Sequence, residues 1–252
     1  MTRRLALLAG ALALVLAAAY LGVRSWRGRN VGPVERGFRV AQAHGCFTCH
    51  GPGGLKGYED DGRVGSVPPF TADEVSAHAK TTDEIREWIL DGMPRRLRNE
   101  PPEPGEPPVI TMPAWRDVLT TRQVEDLVAY VVAVSDFGPA PEGQALAGRD
   151  AALTLGCFQC HGPQGRGNPP NPGSLKGYIP SWDGADFREL VKDDGELREW
   201  IRDGSPKRLR EHRIAGYFIE NQAVKMPAYH DRVKEEELQA LAAYIRWVRK
   251  GS

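Results

Sequence analysis

The 252 residues predict an all-α fold built twice in tandem behind an N-terminal apolar helix. Three observations carry that expectation. The sequence repeats itself at a spacing of about 111–114 residues. Within each copy, apolar residues recur at helical spacing, as Val124, Leu127, Val128 and Val131 do. Between the periodic segments lie Gly/Pro loops, with few alternating runs and no hairpin-type turns.

The repeat is read off matched segments. Gly37, nine residues before Cys46, answers to Gly148, nine before Cys157. Ile85-Arg86-Glu87-Trp88-Ile89 with Asp91-Gly92 matches Leu197-Arg198-Glu199-Trp200-Ile201 with Asp203-Gly204. Residues 94–98 match 206–210, and Met112-Pro113-Ala114-Trp115 matches Met226-Pro227-Ala228-Tyr229. Leu127-Val128-Ala129-Tyr130 parallels Leu241-Ala242-Ala243-Tyr244, and Leu55-Lys56-Gly57-Tyr58 reads like Leu175-Lys176-Gly177-Tyr178. Two copies make a duplicated domain rather than a solenoid.

Each copy should open with a helix, at about 34–44 and 147–155, running into the Cys46 or Cys157 motif. A second helix is expected at 82–90 and 195–202, where Asp-Gly supplies a glycine cap. The closing helices are expected at 121–134 and 234–249. Gly37 and Gly148 allow the first and last helices to approach closely, with Tyr130 and Tyr244 packing there. Pro139, Pro141 and Gly143 mark the join. The resulting division is 1–30 for a signal anchor or signal peptide, 34–137 for the first domain, 138–146 for a linker and 147–250 for the second domain.

Formal charge sums to zero but is unevenly spread. Residues 1–32 carry 5 basic and no acidic side chains, residues 33–138 carry 11 basic and 17 acidic, and residues 139–252 carry 17 and 16. An acidic first domain suits a basic redox partner or a solvated surface, and nothing here supports nucleic-acid binding. Arg3 and Arg4 precede the uncharged run of residues 5–23, and Arg24, Arg27 and Arg29 follow it. Nineteen apolar or small residues exceed a signal-peptide core and suffice to cross a bilayer. Ala17-Ala18-Ala19 keeps open a cleaved leader.

All 4 cysteines stand in two motifs, Cys46-Phe47-Thr48-Cys49-His50 and Cys157-Phe158-Gln159-Cys160-His161. This spacing is the attachment sequence for c-type haem: two thiols reach the vinyl groups on one porphyrin edge, and the histidine passes beneath the iron. A four-cysteine zinc site or a redox Cys-x-x-Cys explains neither histidine. Two covalently bound haem c groups are therefore expected, on Cys46, Cys49 and His50 and on Cys157, Cys160 and His161. Attachment takes place on the outer face of the membrane, which puts residues 30–252 outside.

A distal ligand is needed on each iron. Met112 lies 62 residues after His50 and Met226 lies 65 after His161, each before Pro-Ala and an aromatic. Proline holds that stretch out of a helix. Met93 is the rival in the first copy, but Ser205 occupies the matching position. The metal ligands are thus expected to be His50 with Met112 and His161 with Met226. His212 is the best placed alternative for bis-histidine ligation, and His44, His78 and His230 suit the surface. Trp88, Trp200, Tyr58 and Tyr178 are candidate pocket walls or core. Arg96, Arg98, Arg208 and Arg210 suit haem propionates or solvent, and the Pro-rich residues 101–108 suit a stiff loop.

With these motifs the chain resembles the small class I cytochromes c, duplicated in tandem as in bacterial dihaem cytochromes c. The resemblance covers about residues 34–136 and 146–250. It implies a single-electron carrier between redox protein partners, either a membrane complex or a soluble carrier, on the periplasmic or outer face of the membrane. The long connection between each haem motif and its methionine departs from the family's short form. Two other classes stay open. One is an enzyme resembling dihaem peroxidases or thiosulfate dehydrogenases, which requires an open distal position; the other is a cytochrome subunit of a larger respiratory complex. The expected methionine on each iron favours the carrier over the enzyme.

Overall fold

The structure, a computed structural model, describes residues 2–59, 64–100 and 108–251. It is helical, and among the described residues the extended backbone amounts to two isolated antiparallel pairs, Tyr58 with Val67 and Pro170 with Tyr178. In order the helices are α1 (Thr2–Gly28), α2 (Pro33–Ala43), α3 (Cys46–His50), α4 (Ala72–His78), α5 (Thr82–Asp91), α6 (Arg95–Arg98) and α7 (Thr121–Val134). The second half supplies α8 (Gly143–Thr154), α9 (Cys157–His161), α10 (Phe187–Leu190), α11 (Asp194–Asp203), α12 (Lys207–Glu211), α13 (Arg213–Asn221) and α14 (Glu235–Lys250). Single 3₁₀ turns at Pro52–Gly54 and Pro163–Gly165 follow α3 and α9.

The opening and closing helices of each half cross at a glycine. A Cβ on Gly37 would lie 1.9 Å from the Asp126 carbonyl oxygen, and one on Gly148 would lie 1.9 Å from that of Ala240. Helix backbones therefore touch, which no other residue permits. Tyr130 and Tyr244 pack beside the two crossings. Tyr130 donates its hydroxyl to the Gly53 carbonyl at 3.0 Å, and burial pushes its pKa up to about 12. In the first half the crossing is also clamped by charge: Arg36 places Nε 2.8 Å and Nη2 2.6 Å from the two carboxylate oxygens of buried Asp126.

Around these crossings sit two apolar clusters. One gathers Ile85, Ile89, Val124, Leu127 and Val128 with Ala41; the other gathers Leu197, Ile201, Leu238, Leu241 and Ile245 with Ala152. The α5 and α11 residues in these clusters lie at i and i+4, so each helix presents one stripe to its core. Helix starts obey local chemistry. Thr81 and Asp193 accept the Glu84 and Glu196 amides at 3.2 and 2.9 Å. Thr120 and Gln123 form a reciprocal capping box at the start of α7. Replacing Thr120 with alanine removes one of those two bonds and should lower stability by about 1 kcal/mol, read from the thermal midpoint of the first half.

One segment among these helices is long and apolar enough to cross a membrane, Leu7–Gly28. It fits an anchor.

Candidate haem sites

The two Cys-x-x-Cys-His segments each form one helical turn, α3 and α9, so the cysteines at first and fourth positions share a face with the histidine beyond them. All four cysteines are free. Burial pushes the Cys46 thiol up and the Cys157 thiol up to about 11.

Both histidines stand between a proline carbonyl and an aromatic ring. His50 Nδ1 lies 2.9 Å from the Pro68 carbonyl, and the Phe70 ring is 4.6 Å from the imidazole. A ring donating from Nδ1 keeps its lone pair on Nε2, the nitrogen an iron would take. His161 makes the corresponding approach to the Pro180 carbonyl at too loose a geometry for a full hydrogen bond, and Trp182 lies 5.2 Å away. Desolvation lowers both imidazole pKa values, that of His161 to about 4, so both rings are neutral at pH 7. Phe70 and Trp182 went unnoticed in the sequence. Their signal was Pro68-x-Phe70 against Pro180-x-Trp182, 112 residues apart, within the spacing of the repeat.

The methionine loops are built on the second helices. Trp115 and Arg116 donate their amides to the Ile89 and Leu90 carbonyls at 3.2 and 3.1 Å. Tyr229 and His230 repeat this on Ile201 and Arg202, at 3.1 Å each. Gly92 and Gly204, at φ of 74° and 76°, let the methionine carbonyl close over the helix end. A Cβ there would sit 2.3 Å from the Met112 carbonyl oxygen and 2.4 Å from that of Met226. The repeated Glu-Trp-Ile-x-Asp-Gly segment is therefore the platform that places each methionine. The amide two residues upstream is tied as well: Ile110 donates to the Val64 carbonyl at 2.8 Å, and Val224 to Asn171 Oδ1 at 2.9 Å. Asn171 also donates from Nδ2 to the Val224 carbonyl at 2.9 Å, and has no motif to announce it.

In the second half Met226, His161, Cys157 and Cys160 line one cavity of about 330 Å³, walled by Trp182, Trp200 and Tyr178. In the first half Met112 packs against the cluster that also holds Cys46, Phe47, Phe70 and Trp88. Met93 is exposed, while its counterpart Ser205 is buried. His212 accepts the Ala215 amide as the cap of α13, at 3.2 Å, which accounts for its ring without a metal. The four repeated arginines have partners within the protein. Arg96 and Arg208 pair with Glu84 and Glu196, Arg98 with Asp91, and Arg210 with the Ser205 carbonyl. Tyr58 stands exposed. The Pro-rich loop at 101–107 lies outside the described residues.

One sequence match does not hold in space. Gly57 donates its amide to the His50 carbonyl at 3.0 Å, and the residue doing so to His161 is Gly167, at 2.9 Å, not Gly177. Tyr178 precedes Pro180 by two, where the first half has Ser66 before Pro68. The two Leu-Lys-Gly-Tyr strings, 120 residues apart, thus occupy different places.

Free paired thiols, neutral half-buried imidazoles with an available Nε2, a thioether in the same site and an apolar cavity all fit a covalently held iron porphyrin. Residues 142–249 match the cytochrome c family, and residues 32–131 match the cbb3-type cytochrome c oxidase subunit III family. These matches fit a class I c-type cytochrome of two domains. Two such domains follow one another, and domains of this kind imply covalently bound haem c and a part in respiratory electron transport. Among curated proteins, this cytochrome is similar to the cbb3-type cytochrome c oxidase subunit CcoP of Rubrivivax gelatinosus, 26% identical over 203 residues. That alignment covers 81% of this chain and 51% of the relative, so the cytochrome spans about half the length of the protein it matches. Among solved structures it is similar to a chain of the reducing HAO-like protein complex of Kuenenia stuttgartiensis. The match has 18% identity and a TM-score of 0.25, and covers 85% of this chain and 96% of the other.

Proposed function

We propose that the protein is a membrane-anchored dihaem cytochrome c. It carries single electrons between redox protein partners on the periplasmic or outer face of the cytoplasmic membrane. Residues 34–137 and 147–250 each hold one haem c, through Cys46 and Cys49 and through Cys157 and Cys160. His50 with Met112, and His161 with Met226, would hold the two irons. The observation that carries this reading is the recurrence of one backbone setting around each pair. The imidazole stands beside a proline carbonyl, and the methionine carbonyl closes over an Asp-Gly helix end.

Haem supplies the one-electron couple of its iron. The chain's own groups keep that couple outer-sphere. Phe70 and Trp182 pack against the two imidazoles, so the rings hold their orientation in both oxidation states. The backbone bonds to Ile89, Leu90, Ile201 and Arg202 hold each methionine loop in place, so its thioether would hold the iron and keep small oxidants from it. A soft neutral thioether favours the ferrous state, so both potentials should lie above those of a bis-histidine protein.

Visible spectra of the purified protein test this. Two haems per chain are expected, with the weak far-red band of methionine-bound ferric iron at the strength of two sites. One haem per chain, or a high-spin ferric signature without that band, would overturn the reading.

The match to an oxidase subunit favours a second, compatible placement, as an electron-transfer subunit of a larger respiratory complex. Purification in mild detergent separates the two. An integral-membrane partner that co-elutes in fixed stoichiometry supports the subunit, and a monodisperse single chain supports the independent carrier.

A further inference from the structure

The apolar run ends at Val23, and α1 continues to Gly28, which places Trp26 about 4.5 Å beyond the run in the headgroup zone. The chain then leads directly into α2 of the first half, where Arg36 donates to the Val31 carbonyl at 2.5 Å, yet three further contacts of this exit segment lie on the second half. The Lys176 ammonium lies 4.3 Å from the centre of the Trp26 ring. Asn30 donates Nδ2 to Asp186 Oδ1 at 2.7 Å, and the Gly32 amide donates to Asn168 Oδ1 at 2.8 Å. Asp186 and Asn168 are 2% and 1% exposed, so each of these part-buried bonds ends on a buried acceptor. Asp186 also accepts from the Tyr178 hydroxyl at 2.6 Å and pairs with Lys176 at 2.9 Å. The three partners complete the coordination of a carboxylate that would otherwise be buried with too few donors.

Lys176, Tyr178 and Asp186 belong at the same time to the wall of the second cavity. The exit segment is thus bound to the outside of the wall whose inside faces the site of His161 and Met226.

We infer that residues 26–32 latch the second haem domain to the membrane surface, and that the second haem is consequently the membrane-side terminal, presented to an integral-membrane redox protein. The first haem is the terminal for the other partner. This rests on the two-haem reading given above. Bound to the exit segment, the second domain cannot swing away from the bilayer as a freely tethered domain would, and its haem stays within one domain's width of the headgroups.

The test uses the full chain in phosphatidylcholine nanodiscs containing a small fraction of phosphatidylethanolamine with a headgroup fluorophore. Haem quenches such a fluorophore with a steep distance dependence. The Cys46→Ala/Cys49→Ala protein, retaining the second haem, should quench several-fold more than the Cys157→Ala/Cys160→Ala protein, retaining the first. Equal or reversed quenching overturns the inference. Because removing a haem endangers folding, Trp26→Ala/Asn30→Ala in the dihaem protein provides the second arm. It should keep two haems per chain and lose quenching several-fold, whereas unchanged quenching overturns the latch. A parent protein with fewer than two haems overturns the two-haem reading instead, so the two failures are distinguishable.

Discussion

Gly148→Ala should destabilise the second half by about 3 kcal/mol, at the upper end for overpacking. Its Cβ would be forced to 1.9 Å from the Ala240 carbonyl oxygen and 2.8 Å from the Tyr244 Cβ. Neither neighbour is the far end of a flexible side chain, so relief requires α8 and α14 to separate. Separation would expose Tyr244 and Val248, both 0% exposed, and loosen the helix pair that backs the α9 turn. For a unit of about 100 residues that energy corresponds to a fall in thermal midpoint of roughly 10–20 °C. Calorimetry on the haem-loaded protein should show one of two transitions moving and the other fixed. Gly37→Ala, 1.9 Å from the Asp126 carbonyl, should move the other one. A Gly148→Ala midpoint within a degree or two of the parent would refute the backbone contact.

The residues that made this architecture legible were those with strict local requirements. Gly37 and Gly148 tolerate no side chain, Asp-Gly ends a helix in one way, and Cys-x-x-Cys-His has one chemical use, so each left a fixed mark in the string. The helices expected at 82–90, 121–134 and 195–202 form within a residue at each end, because capping residues and apolar spacing agree there. Helix α13 was not legible: it has nine residues, is interrupted by Gly216, and takes the place of a Pro-rich stretch in the other copy. Phe70 and Trp182 differ in identity, and their role rests on a proline carbonyl two residues upstream, a backbone property that residue letters do not display. The Leu-Lys-Gly-Tyr strings misled for the opposite reason. Their letters agree, but the bonds of Gly57 and Gly167 to the two histidines put the true correspondence elsewhere. Asn171 was silent because the first half solves the same problem with the Val64 carbonyl.

That last difference sets apart the two methionine sites and gives the remaining expectation. Met226→Ala should leave two haems per chain, halve the far-red band and open one ferrous site to carbon monoxide. With the thioether gone, the second haem's potential should fall, since the ligand that favours ferrous iron is lost. Asn171→Ala should reproduce a fraction of this without touching any ligand. Asn171 is 2% exposed and satisfies both the amide and the carbonyl of Val224, two residues before the methionine. Truncation leaves two part-buried backbone groups of Val224 without those partners, and the loop can relieve this by moving outward to water. Outward movement draws Met226 away from the cavity it shares with His161. The Asn171→Ala protein should therefore bind carbon monoxide at a substoichiometric, temperature-dependent level while the first site stays closed. Asn171→Asp, which keeps the acceptor for the Val224 amide but loses the donor for its carbonyl, should fall between alanine and the parent. A merely structural asparagine would lower the unfolding midpoint and leave ferrous carbon monoxide binding at zero. That outcome would detach Asn171 from the methionine, while carbon monoxide binding in Met226→Ala alone would still identify Met226 as the ligand.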